Sequence, residues 1–288
     1  MNNYIYYVTV VVYNKECECS VTCNQLIDIQ KQCPIKVFIA DNSTIQTNNE
    51  KFCNKYSWNY ISMKGNKGLS CAYNSVINYI NSFNRNECIV WLDDDTAITI
   101  DYFRELNKQF INQNLVDIFV PIVYGSNNII YSPNERGFLK NHLLQRKDQC
   151  PRMELFNAIN SCMAVRLSFY KNYRYDEKLF MDVVDQKFCK EACEKKTKFA
   201  ILNTTIKQDF FQRSENLTSN RAWIRYKIRI KDFMNYANGN WIYRWLGLIK
   251  ITAWGIDIAI KCKSPIIFMK CIACGFKYAI MLSIGKKI

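Results

Sequence analysis

Three consecutive carboxylates, Asp93, Asp94 and Asp95, directly follow an apolar run at residues 88–92. Packed like charges repel one another unless a cation or an array of hydrogen-bond donors neutralises them. Mg²⁺ and Mn²⁺ prefer hard oxygen ligands and commonly bridge one or two carboxylates to substrate phosphates. The cluster therefore indicates a divalent-metal site, with a solvated turn or helix start as the alternative.

Two further segments carry residue types that can do chemistry. Residues 65–68 (GNKG) precede a helical pattern, where backbone N–H groups and Lys67 can approach phosphates. The segment is neither a Walker A loop nor GxGxxG, so a glycine-capped turn explains it equally well. Asp182 and Asp185 flank the start of a predicted helix, and a carboxylate partly surrounded by apolar groups can act as a general base. Surface carboxylates at a helix start give the same pattern.

The fourteen cysteines and single histidine do not form a zinc-site pattern. The best spacings, Cys17, Cys19 and Cys23 and then Cys271 with Cys274, have no second ligand pair at zinc-finger distance. The N-terminus lacks the pattern of an export signal, so we expect reduced thiols and a cytoplasmic location.

Apolar runs rich in β-branched and aromatic residues alternate with helical patterns over the first 120 residues. Such runs are typical of parallel strands buried on both faces. The alternation predicts an α/β domain with a Rossmann-like mixed sheet flanked by helices. Later strands are predicted within 154–170 and 197–206, and a long functional loop over 125–153.

Polar side chains follow three of the predicted strands at the points where these strands end. They are Tyr13 with Asn14, Asp41 with Asn42, and the carboxylates of residues 93–95. In doubly wound sheets ligands gather at the carboxyl ends of the strands. The three groups are therefore predicted to converge on one crevice.

The positive charge is concentrated at the C-terminal end. The net charge is +14, and residues 221–288 carry thirteen Lys and Arg against two acidic residues, a net of +11. These cations interrupt runs rich in Trp, Ile and Phe, which favours an anionic membrane surface over nucleic acid as the partner. We predict a catalytic domain over 1–220 followed by a basic, apolar, helical tail over 221–288.

Within this tail, residues 265–284 are long enough to span a membrane. A central lysine such as Lys270 or Lys277 costs about 2.5 to 3.5 kcal/mol on insertion scales, which disfavours spanning. Lys263, Lys270 and Lys277 recur every seven residues and predict an interfacial helix with these lysines opposite a broad apolar surface. Pro265 and Gly275 are expected to break this helix into shorter pieces. The alternative is that the tail packs as core helices.

Five segments occur in a specific order: VTVVVYN, FIADNST, GNKGLSCAYN, IVWLDDDT and YDEKLFMDVVDQKFCKEA. Together they resemble glycosyltransferase family 2, and especially its rhamnosyltransferase-like branch, over residues 5 to about 235. The fourth segment looks like the DxD motif of these nucleotide-sugar-dependent enzymes of GT-A fold. The fifth looks like the acidic motif of that branch, which precedes a Cys-containing helix.

The resemblance implies roles for individual residues. Asp93 and Asp95 would hold Mg²⁺ or Mn²⁺ on the donor diphosphate. Aligned on Cys189, Asp185 falls where the family carries its catalytic base, with Asp182 on the acceptor side. The nucleotide-sugar contacts would come from Val12, Tyr13, Asn14, Asp41, Gly68 and Asp94.

Two positions depart from the family pattern. The family often has a second acid two places after the base, where this chain has Lys187. The branch also tends to carry a histidine, a candidate metal ligand, where this chain has Gln208. Weaker metal binding or an altered acceptor site is the expected consequence.

The resemblance implies an inverting glycosyltransferase that moves a sugar such as rhamnose or galactose from a UDP or dTDP donor. The expected acceptor is a lipid-linked glycan in cell-surface polysaccharide synthesis. The expected location is the cytoplasm, with peripheral attachment to the inner face of the cell membrane. A nucleotidyltransferase and an inactive membrane-surface scaffold remain the alternatives.

Overall fold

The computed structural model describes residues 4–125, 128–208 and 218–288. These residues form two compact units. The first contains residues 4–125, 128–175 and 188–208, and the second contains residues 176–187 and 218–288. The second unit thus includes a segment of twelve residues that the sequence pattern assigned to the catalytic domain.

The first unit is built on eleven strands in two sheets. In chain order they are β1 (Ile5–Val12), β2 (Ile35–Asp41), β3 (Asn59–Ser62), β4 (Glu87–Asp93), β5 (Ile118–Tyr124), β6 (Ile130–Ser132), β7 (Asn134–Glu135), β8 (His142–Leu143), β9 (Phe156–Asn157), β10 (Met163–Arg166) and β11 (Phe199–Lys207).

The main sheet has the order β11-β5-β10-β4-β1-β2-β3, and β6 pairs with β5. Its strands are parallel except for β10, which runs antiparallel to β4 and β5, and for β6. The predicted mixed sheet is therefore confirmed. The central strands are buried because their β-branched runs present apolar side chains to helices on both faces.

Five helices accompany the strands. Helix α4 places Tyr102, Phe103, Leu106 and Phe110 in the core at helical spacing. Helix α1 begins at the N-cap Ser20, whose side chain accepts a hydrogen bond from the backbone N–H of Cys23. The helices are α1 (Val21–Ile29), α2 (Asn49–Lys55), α3 (Leu69–Ile80), α4 (Ile100–Asn112) and α5 (Val184–Glu194), of which α5 begins in the second unit.

The segment predicted as one long loop, 125–153, contains the short strands β6, β7 and β8. Strands β7, β8 and β9 form a separate three-stranded sheet. Strands of two or three residues are too short for a periodic pattern, so only their pairing partners reveal them. All fourteen cysteines lie in the described part of the chain, and none of them forms a disulfide there.

The described residues of the second unit form three α-helices, α6 (Ser219–Tyr236), α7 (Trp241–Lys261) and α8 (Pro265–Ser283). Pro265 is the first residue of α8, so the predicted break at this proline is confirmed. The predicted helical tail is confirmed, and its apolar core includes Ile230, Ile251 and Cys271. Among the described residues, one helix, α8, is long enough and apolar enough to cross a membrane, judged by length and composition only.

Gly275 does not interrupt α8, contrary to expectation. A Cβ atom there would lie 3.2 Å from side-chain atoms of Leu248 and Ile251, so glycine permits close packing of α8 on α7. The lysines of α8 also differ from expectation. Lys270 and Lys277 follow the exposed Met269 and Phe276 by one residue, so they border an exposed apolar stripe instead of lying opposite one.

Candidate active site

The strand order of the main sheet reverses at β1, which pairs with β2 on one side and β4 on the other. In the parallel register, Val12 lies beside Asp41 and Val11 lies beside Asp93. The ends of the three strands therefore meet at one edge of the sheet. Such a switch point forms a crevice in which α/β proteins bind their ligands.

The residues after β1 are fixed to those after β2. The backbone N–H of Asn14 donates to Ser43 Oγ (2.9 Å), and Asn14 Oδ1 accepts from the backbone N–H of Thr44 (2.8 Å). Asn14 has a left-handed backbone with φ of 50°, which asparagine tolerates better than most residues. Tyr13 beside it is 52% exposed, so its ring is available at the mouth of the crevice.

Asp41 is buried, and protein donors already surround its carboxylate. Oδ1 accepts from the backbone N–H of Ser43 (2.8 Å), while Oδ2 accepts from Thr47 (3.0 Å), Asn49 (2.9 Å) and Tyr60 (3.2 Å). Burial by itself would raise the pKa of Asp41, but the hydrogen bonds from Ser43, Asn49 and Thr47 hold it below its usual value. These contacts hold the loop after β2. The predicted contact of Asp41 with the nucleotide sugar stays a prediction.

Asn42 connects the strand end to the GNKG loop. Its Nδ2 donates to the carbonyl of Gly68 (3.2 Å), and its Oδ1 accepts from the backbone N–H of Lys67 (3.1 Å). Gly68 caps α3 with φ of 87°, a backbone conformation that favours glycine. The end of the loop next to α3 is thus fixed to the end of β2.

Asp93 ends β4 and has a partly shielded carboxylate. Gln208 Nε2 donates to Asp93 Oδ2 at 2.8 Å. Burial raises the pKa of Asp93 to about 6, and the negative charges of Asp95 and Asp94 act in the same direction. Lys15 Nζ lies 3.3 Å from Asp94 Oδ2 and offsets part of this charge.

Two hydroxyl groups at the start of α1 hold the backbone of the carboxylate cluster. Thr22 Oγ1 donates to the carbonyl of Asp93 (2.6 Å), and Ser20 Oγ donates to the carbonyl of Asp94 (2.6 Å). Sequence reasoning did not identify Lys15, Ser20 or Thr22 as site residues. The sequence pattern around Ser20 and Thr22 indicated only the start of a helix, because the carboxylate residues that they contact lie more than 70 positions away in the chain.

The ligand types around Asp93 and Asp95 decide whether the carboxylate cluster suits a divalent cation. Within the described ranges, no group of three or more His, Cys, Asp or Glu side chains is placed to hold a metal ion. Mg²⁺ needs fewer protein ligands when substrate phosphates supply the rest. Asp93 and Asp95 offer carboxylates, and the Oε1 atom of Gln208 is buried with no hydrogen-bond partner among the described residues. This all-oxygen donor set fits Mg²⁺ or Mn²⁺.

The other predicted acids, Asp182 and Asp185, belong to the second unit, in the segment Asp176–Lys187, which we call the acidic segment. Asp182 forms a two-pronged ion pair with Arg225 of α6, with Nη2 to Oδ1 at 2.9 Å. Asp185 lies in the first turn of α5, and its Oδ1 accepts from the backbone N–H of Gln186 (2.9 Å). Lys187 pairs with Asp176.

Asp232 of α6 holds the acidic segment and was not identified from the sequence. Its buried carboxylate accepts from the backbone N–H groups of Phe180 (2.9 Å), Met181 (2.7 Å) and Asp182 (2.8 Å). Burial raises the pKa of Asp232, against the effect of these three donors. The only sequence signal was an isolated acid in a basic helix.

A family model described as Glycosyl transferase family 2 matches residues 7–174. The chain belongs to glycosyl transferase family 2. The match includes the carboxyl ends of β1, β2 and β4 with the carboxylate cluster, while β11 and Gln208 lie beyond it. It confirms the family resemblance, while the rhamnosyltransferase-like branch stays a prediction. No curated protein matches this family 2 chain.

Solved structures support the fold. TarS from S. aureus, residues 1–349 with UDP, is 16% identical with a TM-score of 0.51, over 80% of this chain and 65% of that chain. Another TarS structure is 13% identical with a TM-score of 0.50, over 97% of this chain and 55% of that one.

A third neighbour is the mannosyltransferase PcManGT from Pyrobaculum calidifontis, in complex with GDP-Man and Mn²⁺. It is 9% identical with a TM-score of 0.53, over 95% of this chain and 86% of that one. At such identities the likeness shows the GT-A fold alone. The predicted fold is thus confirmed. This family 2 chain spans 65% of the first TarS chain and 55% of the second.

Proposed function

We propose that this family 2 chain is an inverting glycosyltransferase that moves a sugar, such as rhamnose or galactose, from a UDP or dTDP donor to a lipid-linked glycan. The observation that carries this proposal is the carboxylate cluster at the switch point between β1 and β4. A nucleotide diphosphate needs a crevice at strand ends and a centre for cation binding, and this edge offers both.

On the donor side, Asp93 and Asp95 would hold Mg²⁺ or Mn²⁺, with Asp94 near the ribose and Gln208 Oε1 as a further oxygen. When bound, the cation neutralises charge on the departing diphosphate. Val12, Tyr13 and the loop around Gly68 would contact the nucleotide. The presence of UDP in TarS and of GDP-Man with Mn²⁺ in PcManGT supports this assignment.

On the acceptor side, Asp185 is proposed as the general base. It would remove the proton from the acceptor hydroxyl while the hydroxyl oxygen bonds to the anomeric carbon and the bond from that carbon to the diphosphate oxygen breaks. One displacement inverts the anomeric centre and leaves no covalent intermediate. Asp182, held by Arg225, would line the acceptor side next to it.

The charge of the second unit supports the proposed acceptor and location. Its three helices carry a strong positive charge, which suits an anionic membrane surface. A lipid-linked glycan presents its hydroxyl groups close to such a surface. We therefore propose peripheral attachment to the inner face of the cell membrane and a role in cell-surface polysaccharide synthesis, as in the rhamnosyltransferase-like branch.

A panel of UDP, dTDP and GDP sugars tests the proposal. We expect metal-dependent hydrolysis of one donor class, with release of a nucleoside diphosphate, and thermal stabilisation by the same nucleotide. Release of pyrophosphate would identify a nucleotidyltransferase instead. Neither hydrolysis nor stabilisation with any nucleotide would favour an inactive scaffold and contradict the proposal.

A further inference from the structure

Helix α7 exposes a continuous apolar stripe. Trp241, Trp245, Ile249, Ile256 and Ile260 are between 50% and 71% exposed. Their spacing of four and seven residues puts them on one side of the helix, which is about 30 Å long. The opposite side, with Ile251 and Ile258, is buried in the core of the second unit, so the stripe is not part of that core.

Helix α8 exposes a second stripe of the same kind. Ile266, Met269, Phe276, Ile280 and Ile284 are between 47% and 66% exposed, again at helical spacing. Isolated exposed apolar residues are normal in a soluble protein, but ten in two rows form a patch of the kind that marks an interaction surface. We call the two stripes together the apolar face.

The two stripes meet in a groove between the start of α7 and the end of α8. The groove has a volume of about 220 Å³ and is lined by Trp241 and Trp245 from α7 and by Phe276, Ile280 and Ile284 from α8. Its lining shows that the two stripes are adjacent at this end of the two helices. A groove lined by aromatic and aliphatic side chains suits a hydrocarbon chain.

Basic residues border the groove and the apolar face. Arg244 lines the groove, where its Nη1 donates to Ser283 Oγ at 3.2 Å. Lys270 and Lys277 lie beside the stripe of α8. The two acids of helices α6–α8 do not oppose this charge, because Asp232 is buried and Asp257 pairs with Lys261.

This charge pattern indicates which partner binds the apolar face. A second copy of the chain would bring the same excess of positive charge against the face, and like charges repel. An anionic bilayer offers acyl chains for the stripes and phosphate groups for the cations at their edge. Two tryptophans at one end of a helix are also typical of a membrane–water interface.

We infer that the apolar face is a docking surface for an anionic phospholipid bilayer, with α7 and α8 lying in the plane of the interface. The groove receives an acyl chain of one anionic phospholipid, whose phosphate is bound by Arg244. Only the purpose of this docking rests on the proposed function: binding to the bilayer would bring the enzyme to a lipid-linked acceptor.

The test measures binding of the full chain to vesicles of phosphatidylcholine with 30% phosphatidylglycerol. The double variant Trp245→Glu/Ile280→Glu should bind at least tenfold more weakly. Leu115→Glu is the matched control, because Leu115 is 70% exposed but belongs to the first unit. The variant Arg244→Gln should weaken binding severalfold. A Trp245→Ser/Ile280→Ser variant repeats the test if the glutamates impair folding.

Lipids brominated on the acyl chains give a second readout, since they quench nearby tryptophans. Trp58 and Trp91 are buried and Trp223 and Trp254 pack on the helical core, so quenching should come from the two groove tryptophans. A Trp241→Phe/Trp245→Phe variant should still bind, within about threefold, but lose most of the quenching.

Three outcomes would overturn the inference. They are vesicle binding that the Glu variants do not change, binding that resists alkaline carbonate extraction as a spanning helix does, and dimerisation through the face without vesicle binding. Nucleotide stabilisation is measured in parallel on the same variants. Lost vesicle binding with intact nucleotide stabilisation separates this surface from the proposed active site.

Discussion

At the scale of single residues, Gln208 defines the character of the carboxylate cluster. Its amide nitrogen donates a hydrogen bond to Asp93, while its amide oxygen is buried and has no hydrogen-bond partner in the part of the chain that the structure describes. An amide oxygen is a hard, neutral ligand, whereas an imidazole nitrogen is a softer and more basic one. Because the neutral amide oxygen is the weaker electron donor, we expect this site to hold Mn²⁺ more weakly than one with a histidine at this position, while its hardness keeps the site suited to Mg²⁺.

The first prediction concerns Asp95. Its substitution in Asp95→Ala should remove the metal-dependent part of the thermal stabilisation by nucleoside diphosphate, because the cation would lose one of few protein oxygens. Differential scanning fluorimetry with Mn²⁺ and with EDTA measures this. Asp101→Ala is the control, since Asp101 is an exposed acid in α4 paired with Arg104. Equal stabilisation in Asp95→Ala and the unchanged protein would argue against the metal assignment.

The second prediction concerns Asp185, the proposed base. Asp185→Asn should lower kcat by roughly 10² or more while leaving donor affinity nearly unchanged, because a base acts only in the transition state. Steady-state kinetics and nucleotide binding by calorimetry separate the two effects. Glu194→Gln, near the far end of α5, should retain normal turnover. A near-normal kcat in Asp185→Asn would move the role to Asp182 or to neither.

At the scale of secondary-structure elements, helix α6 controls the acidic segment. Asp232 accepts three consecutive backbone N–H groups and Arg225 holds the side chain of Asp182. A helix of the C-terminal unit thereby fixes the segment that carries the proposed base. The segment's contacts also explain why it belongs to the helical unit and not to the sheet.

The third prediction tests this arrangement. Asp232→Asn should lower the free energy of unfolding by about 2 kcal/mol or more, because one amide oxygen replaces two carboxylate oxygens and buried N–H groups lose acceptors. Urea unfolding measures the change. Asp257→Asn removes an exposed partner of Lys261 and should cost about 0.5 kcal/mol or less. Equal effects in the two variants would contradict the assigned role.

A buried arginine joins three elements at the other end of the sheet. Arg166 ends β10, is 1% exposed and donates to the carbonyls of Val116 (2.6 Å), Phe110 (2.7 Å) and Arg85 (2.8 Å). Its guanidinium also stacks 3.6 Å above the ring of Phe110. It thus connects β10 to the end of α4 and to the segments before β4 and β5.

The fourth prediction is that Arg166→Met lowers the free energy of unfolding by about 3 kcal/mol, since several buried carbonyls would lose their donor. Arg104→Met, at an exposed ion pair, should change it by less than about 0.5 kcal/mol. Chemical denaturation of both variants provides the comparison. A loss below about 1 kcal/mol in Arg166→Met would show that water or other donors replace the guanidinium.

At the scale of the whole molecule, the two parts of the chain differ in net charge. Residues 221–288 carry a net of +11, while residues 1–220 carry +3. The attraction of the basic part to an anionic surface is long-ranged at low salt and is screened within about 8 Å at physiological ionic strength. Membrane attachment should therefore depend on salt as well as on the apolar face.

The fifth prediction follows from this charge. The affinity for anionic vesicles should fall at least about tenfold between 50 mM and 500 mM NaCl, because screening removes the contribution of the basic residues. Sedimentation with vesicles at several salt concentrations measures it, and purely zwitterionic vesicles serve as the control. Affinity that is equal for both vesicle types at low salt would contradict an electrostatic contribution.

The sequence by itself determined the mixed α/β fold and the residues at the crevice edge. Apolar runs fix the strands locally, and the ends of parallel strands must meet at one edge of a sheet. The same logic placed Tyr13, Asp41 and Asp93 correctly at strand ends. The helical nature of the C-terminal part was equally local, because its apolar spacing is a property of neighbouring residues.

Only the tertiary structure decided the partners of these residues. Gln208 meets Asp93 across 115 positions, and Asp232 meets the acidic segment across about 50. Such contacts depend on how strands and helices are packed, and no local period encodes them. Gly275 shows the same point, because its role in close packing against Leu248 and Ile251 depends on a neighbouring helix. Spacing along the chain therefore determined the elements, while packing between elements determined which side chains meet.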